Sequence, residues 1–249
     1  MKRSSALAVF AVLVLAALPA VAAEPVIYAG IDPWVTVPEG TSVDFRHQPL
    51  PKGFFCKSSP AFTGAIWFRG VPLASDNPQL ARYDTIVERL DDAVFDRRGV
   101  ARTRFQVKAL QLEGISTFKN RCGEYYVQVT LDGVQPVTTM RIIRENDEGG
   151  RFVLPVRINT KVIFTRVDDL DEKLEFSYPV TFRPSPYHRW TYSDRLPDAK
   201  RLTRATVDTN WDTRPDTSVP GTSNFAPGEG GATRFQTQLK HGGHHTVQQ

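Results

Sequence analysis

The sequence predicts an all-β fold, a β-sandwich of short antiparallel strands followed by an irregular C-terminal tail. Three observations lead there. Apolar and polar residues alternate at period two in one run after another, and Gly, Pro and Asp punctuate those runs at short intervals. No window carries a 3.6-residue apolar period with caps at both ends.

The chain opens with the pattern of a secretory leader. Lys2 and Arg3 precede an uncharged run from Ala6 to Leu18, Pro19 follows, and Ala20-Val21-Ala22 sets small residues where a signal peptidase cuts. That run is shorter than the about 20 residues of a membrane span. A retained anchor is the alternative to cleavage, but residues 1–23 are expected to be removed. No later segment approaches spanning length, so the mature chain is expected to be soluble, and secreted or periplasmic. Loss of Lys2 and Arg3, with no acidic residue in the leader, takes the formal charge from +4 to +2. Such a balance gives no electrostatic reason to expect nucleic acid as a partner.

Residues 24–190 are expected to form the sandwich. The clearest strand-like runs are Gly64 to Arg69, Thr85 to Leu90, Arg102 to Leu112 and Tyr125 to Leu131, then Val137 to Arg144, Arg157 to Arg166 and Lys173 to Phe182. Val127, Val129 and Leu131 share one face while Gln128 and Thr130 share the other. Leu174, Phe176, Tyr178, Val180 and Phe182 also fall on one face. Asp132-Gly133 is expected to close a tight hairpin, and Glu148-Gly149-Gly150 to do similar work. One short helical turn is expected near Pro78 to Arg82, and Pro155 and Pro179 belong at edges or bulges. A seam near Glu113-Gly114 would divide the region in two. A bond between Cys56 and Cys122 would cross it and favours one domain.

Those are the only two cysteines. An even count in an exported chain favours a disulfide over two reactive thiols, and no histidine flanks either one. Closing a loop of that length restricts the unfolded chain by about 4 kcal/mol in the chain-entropy picture.

Residues 191–249 lose apolar periodicity and gather Pro, Thr, Asp, Gly and Arg, so an irregular, partly disordered tail is expected, docked through Trp211 and Phe225 and frayed from Lys240 to Gln249. Within it, Asp208-Thr209-Asn210-Trp211-Asp212-Thr213-Arg214-Pro215-Asp216 spaces short oxygen side chains at alternate positions. Such side chains can converge on one hard cation. The segment resembles the calcium loops of EF-hands, dockerins and thrombospondin type-3 repeats. That resemblance implies Ca2+ held by side chains of Asp208, Asn210, Asp212 and Asp216 and by the carbonyl of Arg214. Thr213 stands where those loops have glycine and Val219 where an EF-hand has glutamate, so an Asp- and Asn-rich surface turn is the competing reading.

Other candidates are weaker. His241-Gly242-Gly243-His244-His245 can bind a transition metal without fixed geometry. Tyr187-His188-Arg189-Trp190-Thr191-Tyr192, with Trp34 and Trp67, offers rings that stack on sugars or pack as a strand. Arg97, Arg98, Arg102 and Arg104 read as a solvated strand face. Adjacent acids at Asp91-Asp92 point to opposite faces of a strand, and Asp168 to Glu172 reads as a charged hairpin turn. No G-x-S-x-G, H-E-x-x-H, P-loop or G-x-G-x-x-G occurs, and Ser116 to Lys119 satisfies S-x-x-K without companion motifs.

Several stretches together, among them Pro51-Lys52-Gly53-Phe54-Phe55-Cys56, Val129-Thr130-Leu131-Asp132-Gly133 and Pro220-Gly221-Thr222-Ser223-Asn224-Phe225, resemble a family of exported bacterial β-rich proteins. That resemblance implies a cell-envelope or extracellular setting and no particular activity. The expected function is therefore a non-catalytic exported β-sandwich, structural or binding a glycan or protein ligand, with calcium as a stabiliser. A hydrolase with a site assembled from distant residues is the alternative, and a subunit of a surface assembly is the third reading.

Overall fold

Period-two alternation sends one side of each strand inward and the other outward, and here two sheets turn their apolar sides toward each other. The computed structural model describes residues 25–36, 40–184, 188–195, 202–227, 234–239 and 244–248. The leader lies outside them, as do Tyr187 and residues 241–243. In chain order the strands are β1 (Val26–Ile27), β2 (Gly30–Thr36), β3 (Thr41–Asp44), β4 (Ala65–Gly70), β5 (Thr85–Arg89), β6 (Ala93–Val94) and β7 (Val100–Leu110). Next come β8 (Leu112–Gly114), β9 (Phe118–Asn120), β10 (Gly123–Leu131), β11 (Thr138–Arg144), β12 (Gly149–Val153), β13 (Val156–Arg166) and β14 (Lys173–Pro184). The last are β15 (His188–Tyr192), β16 (Ala205–Val207), β17 (Thr217–Val219), β18 (Phe225–Pro227), β19 (Arg234–Leu239) and β20 (His244–Gln248).

Sheet one runs β18-β15-β12-β11-β7-β5-β2, and sheet two runs β3-β4-β8-β10-β13-β14. The backbone of the β19–β20 hairpin pairs with β14 on one side and β2 on the other, joining the two ladders. The fold is all-β, with strands at every run that alternation marks. The short turn is a 3-10 helix at Pro78–Leu80, where the Asn77 side chain accepts the Gln79 amide at 3.0 Å.

Between the sheets lies one apolar cluster. Sheet one contributes Phe105, Val107, Met140, Ile142, Phe152 and Trp190, and sheet two contributes Phe68, Val127, Val129, Val162, Phe164 and Tyr178. At one end it becomes aromatic. Phe55 packs on Phe118, Phe164 and Tyr125 with centroids 5.1, 5.1 and 5.2 Å away. The loop carrying Phe54 and Phe55 is held down by the Cys56–Cys122 disulfide, with Cα atoms 5.8 Å apart. No seam opens at Glu113-Gly114, because β8 pairs with β4 and β10 inside sheet two.

One turn differs from expectation. Asp132-Gly133, with Gly133 at φ +58°, does not close a hairpin: β10 pairs with β8, β9 and β13, while β11 pairs with β7 and β12. Both edges of β10 are occupied, so the chain crosses to the other sheet. Buried Gln135 holds the crossing, donating to the carbonyls of Asp132, Gly133 and Asn159 and accepting the Asn159 amide. Glycines 149 and 150 do follow a hairpin turn, but their use is close approach. A Cβ would lie 2.1 Å from the Trp190 carbonyl at one and 2.1 Å from the Ile143 carbonyl at the other.

A second, smaller apolar cluster covers part of the outer face of sheet one, at β2, β5 and the end of β7. Ile31, Ile86 and Ala109 point outward there and are buried by Leu73, Leu80, Leu202, Ala205, Val207 and Val219. The β16–β17 hairpin supplies the last three of these residues. The tail therefore docks through aliphatic residues, with Phe225 seated in the main cluster, while Trp211 is only half-buried.

Candidate ligand-binding groove

Strands β4, β8 and β10 lie side by side in sheet two, and their alternation turns a set of side chains to solvent. The register places Arg69 opposite Glu113 and Glu113 opposite Gln128. Just past the end of β8 the Ile115 amide donates to the Trp67 carbonyl at 3.0 Å, which sets Ile115 beside Trp67 of β4, and Tyr126 of β10 lies on the same side as Gln128. Trp67 is 53% exposed, Ile115 52% and Tyr126 50%. Two strand spacings set the backbones of Trp67 and Tyr126 roughly 10 Å apart.

Beside them is a groove of about 320 Å³ lined by Arg69, Glu113, Ile115, Ser116, Thr117, Tyr126 and Gln128, together with Gly114 and Val127. Its two charges meet each other: Arg69 Nε donates to Glu113 Oε1 at 2.7 Å and Nη2 lies 2.6 Å from the same oxygen. At the groove's end the Thr117 hydroxyl donates to Glu124, which also pairs with Lys119 at 3.2 Å. Those bonds hold the Glu124 carboxyl below the usual range, the Thr117 hydroxyl first and Lys119 second. Such exposed pairs add little stability. They fix donors and acceptors at the sheet surface.

The loop singled out by its oxygen spacing is folded around its first residue. Asp208 is buried, with Oδ1 accepting the amides of Asn210 and Trp211, both at 2.9 Å, and Oδ2 accepting the Thr213 amide at 2.8 Å. Asn210 Oδ1 accepts from the Asp212 amide at 3.1 Å, and Asp212 Oδ1 from the Arg214 amide at 2.8 Å. Trp211 and Thr213 take φ of +69° and +65°, so a β-branched residue adopts the left-handed conformation that favours glycine, at a cost on the order of 1 kcal/mol. The amide bonds to Asp208 offset it. Asp216 is exposed and bonds the Thr217 hydroxyl at 3.2 Å. Among the described residues no group of three or more His, Cys, Asp or Glu converges as a metal site.

Buried charge lies elsewhere and has structural partners. Arg89 donates through Nε and Nη2 to Asp32 at 3.0 and 2.9 Å, through Nη2 to the Ser223 hydroxyl at 2.9 Å, and stands 4.7 Å over the Phe225 ring. Burial pushes the Asp32 carboxyl up, against the opposing pull of Arg89. Asp84 accepts from the Thr36 amide at 2.6 Å and from the Thr36 and Thr85 hydroxyls, and burial still raises it to about 6. His188 sits against Phe152 and burial lowers it to about 4.

The remaining sequence candidates sort by face. Trp34 and Trp190 are core residues, Trp190 stacking on Phe95 and Phe225 with centroids 5.9 and 5.4 Å away. Trp67 alone of the three faces solvent. Arg102 and Arg104 point out from β7, Arg104 pairing with Asp91, while Asp92 accepts the Ala29 amide. Asp168 and Glu172 pair with Arg166 in the β13–β14 turn. The order of residues marked Trp67 as a candidate for either face and did not single out Tyr126. That Ser116, Thr117, Glu113 and Gln128 gather beside them follows from the pairing of β8 with β4 and β10, which no local pattern carries. Comparison with protein-family models, with curated proteins and with solved structures returns no match.

Proposed function

We propose that this chain is an exported, non-catalytic β-sandwich protein that binds a ligand on the outer face of its second sheet. The observation that carries the reading is the set of half-exposed Trp67, Ile115 and Tyr126 beside an open groove, on a face that no segment among the described residues covers. Large apolar side chains held at the surface in a contiguous patch mark interaction sites. Two features support export: the leader pattern around Lys2 to Ala22, and the Cys56–Cys122 bond, of a kind that persists in oxidising compartments. No helix among the described residues is long and apolar enough to cross a membrane. A binding rather than catalytic role is supported by the partners of the titratable groups. Arg69 and Glu113 neutralise each other in the groove, while the carboxyls and imidazole shifted by burial lie outside it.

The test has two parts. Mass spectrometry of the exported protein should find the leader removed and both cysteines oxidised; an intact leader with free thiols overturns export. Co-sedimentation of the mature protein with insoluble cell-envelope material should be lost in a Trp67→Ala/Tyr126→Ala double variant, and unchanged sedimentation removes the outer face as the binding surface.

Calcium is a narrower part of the same proposal. The side-chain oxygens of Asp208, Asn210, Asp212 and Asp216 and the Arg214 carbonyl are hard donors of the type calcium takes, and an ion would have to draw the first three away from the loop amides they now accept, supplying stability rather than chemistry. Millimolar calcium is then expected to raise the melting temperature and a chelator to lower it by ligand linkage. Identical melting curves leave the loop held by its own amides.

A further inference from the structure

This inference rests on the outer face being the binding surface, and it names what binds there. We propose that the groove beside Trp67 and Tyr126 takes a short stretch of a neutral oligosaccharide. The lining combines the two things a sugar ring asks for. Tyr126 in the lining and Trp67 just outside it offer flat π-faces at the surface, and the electron-rich face of an aromatic ring attracts the weakly positive C–H bonds on one side of a pyranose. In the next row stand a donor-only guanidinium at Arg69, an acceptor-only carboxylate at Glu113, and an amide at Gln128 that does both. A sugar hydroxyl donates and accepts at once, so one pair of neighbouring hydroxyls can engage Arg69 and Glu113 without breaking the bond between them.

Charge selects the class. Arg69 is paired with Glu113, and Lys119 with Glu124, so the two ion pairs at this face cancel. A face whose charges cancel offers neither an anionic nor a cationic polymer a net attraction to offset desolvation of its charges. A neutral polyol meets no such penalty. Shape agrees: a volume of about 320 Å³ is at the small end for a pocket, and the site is open to solvent. That form suits an internal stretch of a chain better than a buried terminus. Arg69, Glu113, Tyr126 and Gln128 project from three hydrogen-bonded strands, so these side chains are placed before the ligand arrives.

The test uses the mature, disulfide-bonded full chain, titrated by calorimetry with cellohexaose, xylohexaose, mannohexaose and N-acetylated chitohexaose. Heparin hexasaccharide and hexagalacturonate serve as anionic probes. At least one neutral probe should bind and change the tryptophan emission, and raising NaCl from about 50 to about 500 mM should leave that affinity unchanged. Trp67→Ala should weaken it about tenfold or more and Tyr126→Ala several-fold, while Val94→Ala, on an exposed strand elsewhere, should not. Unaltered melting curves for these variants exclude misfolding as the cause. A silent neutral panel, a preference for the anionic probes, or neutral binding indifferent to Trp67→Ala overturns the saccharide assignment. If the panel is silent while envelope co-sedimentation still depends on Trp67 and Tyr126, only the ligand class falls; if both fail, the binding surface falls with it.

Discussion

The two sheets have the same construction on their inner sides and opposite fates on their outer ones. On sheet one, Ile31, Ile86 and Ala109 point away from the main core and are fully buried, because residues 71–83 and the β16–β17 hairpin return across them. On sheet two, Trp67, Ile115 and Tyr126 point away from the same core and stay half exposed. Small aliphatic side chains on one face and large rings on the other make sense in those terms. A second core needs residues that fit under a short hairpin, whereas an open face keeps rings whose bodies pack on neighbours while one side meets solvent. The part of the tail at residues 202–227 is thus spent on the first sheet.

Experiments on the two faces should separate these fates by size of effect. Arg89 joins the tail to β2 and β5 through Asp32, Ser223 and Phe225, with both charges buried. Arg89→Ala leaves Asp32 buried and unpaired and is expected to cost about 3–5 kcal/mol in urea unfolding. A loss under about 1 kcal/mol would mean that the tail holds without this anchor. Leu80 is wholly buried in the covering cluster, so Leu80→Ala should cost about 2–5 kcal/mol by the same measurement, the lower part of that range if the small cluster collapses onto the gap.

Next in size is a pH effect at the junction of the sheets. Asp84 is raised to about 6 in the fold from an ordinary value of 3.8. The folded state therefore favours the protonated carboxyl. Its contribution is fully present below about 4, and is lost as pH rises through about 6, a difference of about 3 kcal/mol between those limits. Asp84→Asn should flatten that part of the stability profile between about pH 4 and pH 6; a profile identical to the parent's would show that Asp84 titrates normally. The smallest effect belongs to the open face. Trp67→Ala should change unfolding free energy by less than about 1 kcal/mol, in contrast to Leu80→Ala. A cost comparable to the buried leucine would mean that something covers Trp67 in solution.

Much of this was readable along the chain because it is local. The runs from Gly64 to Arg69, Tyr125 to Leu131 and Lys173 to Phe182 became β4, β10 and β14 with bounds within a few residues, since alternation is printed in the order of side chains. Cysteine count and setting pointed to the 56–122 bond, and the oxygen spacing at 208–216 marked a tightly turned loop. The turn at Asp132-Gly133 was legible as a turn and illegible as a crossing, because its partner strands lie outside its own neighbourhood. Of the three tryptophans considered as platforms, alternation could not choose the exposed one, as a ring at strand spacing looks alike on either face.

The sequence by itself therefore determined where the chain extends, where it turns, which cysteines can pair and that helices are nearly absent, all of which depend on residues a few positions apart. Tertiary structure alone decided which strands lie side by side, which outward face the tail covers, and that Arg69, Glu113, Gln128, Trp67 and Tyr126 share one surface. Strand pairing is a choice among distant partners of similar local chemistry, and only packing of the whole chain makes that choice.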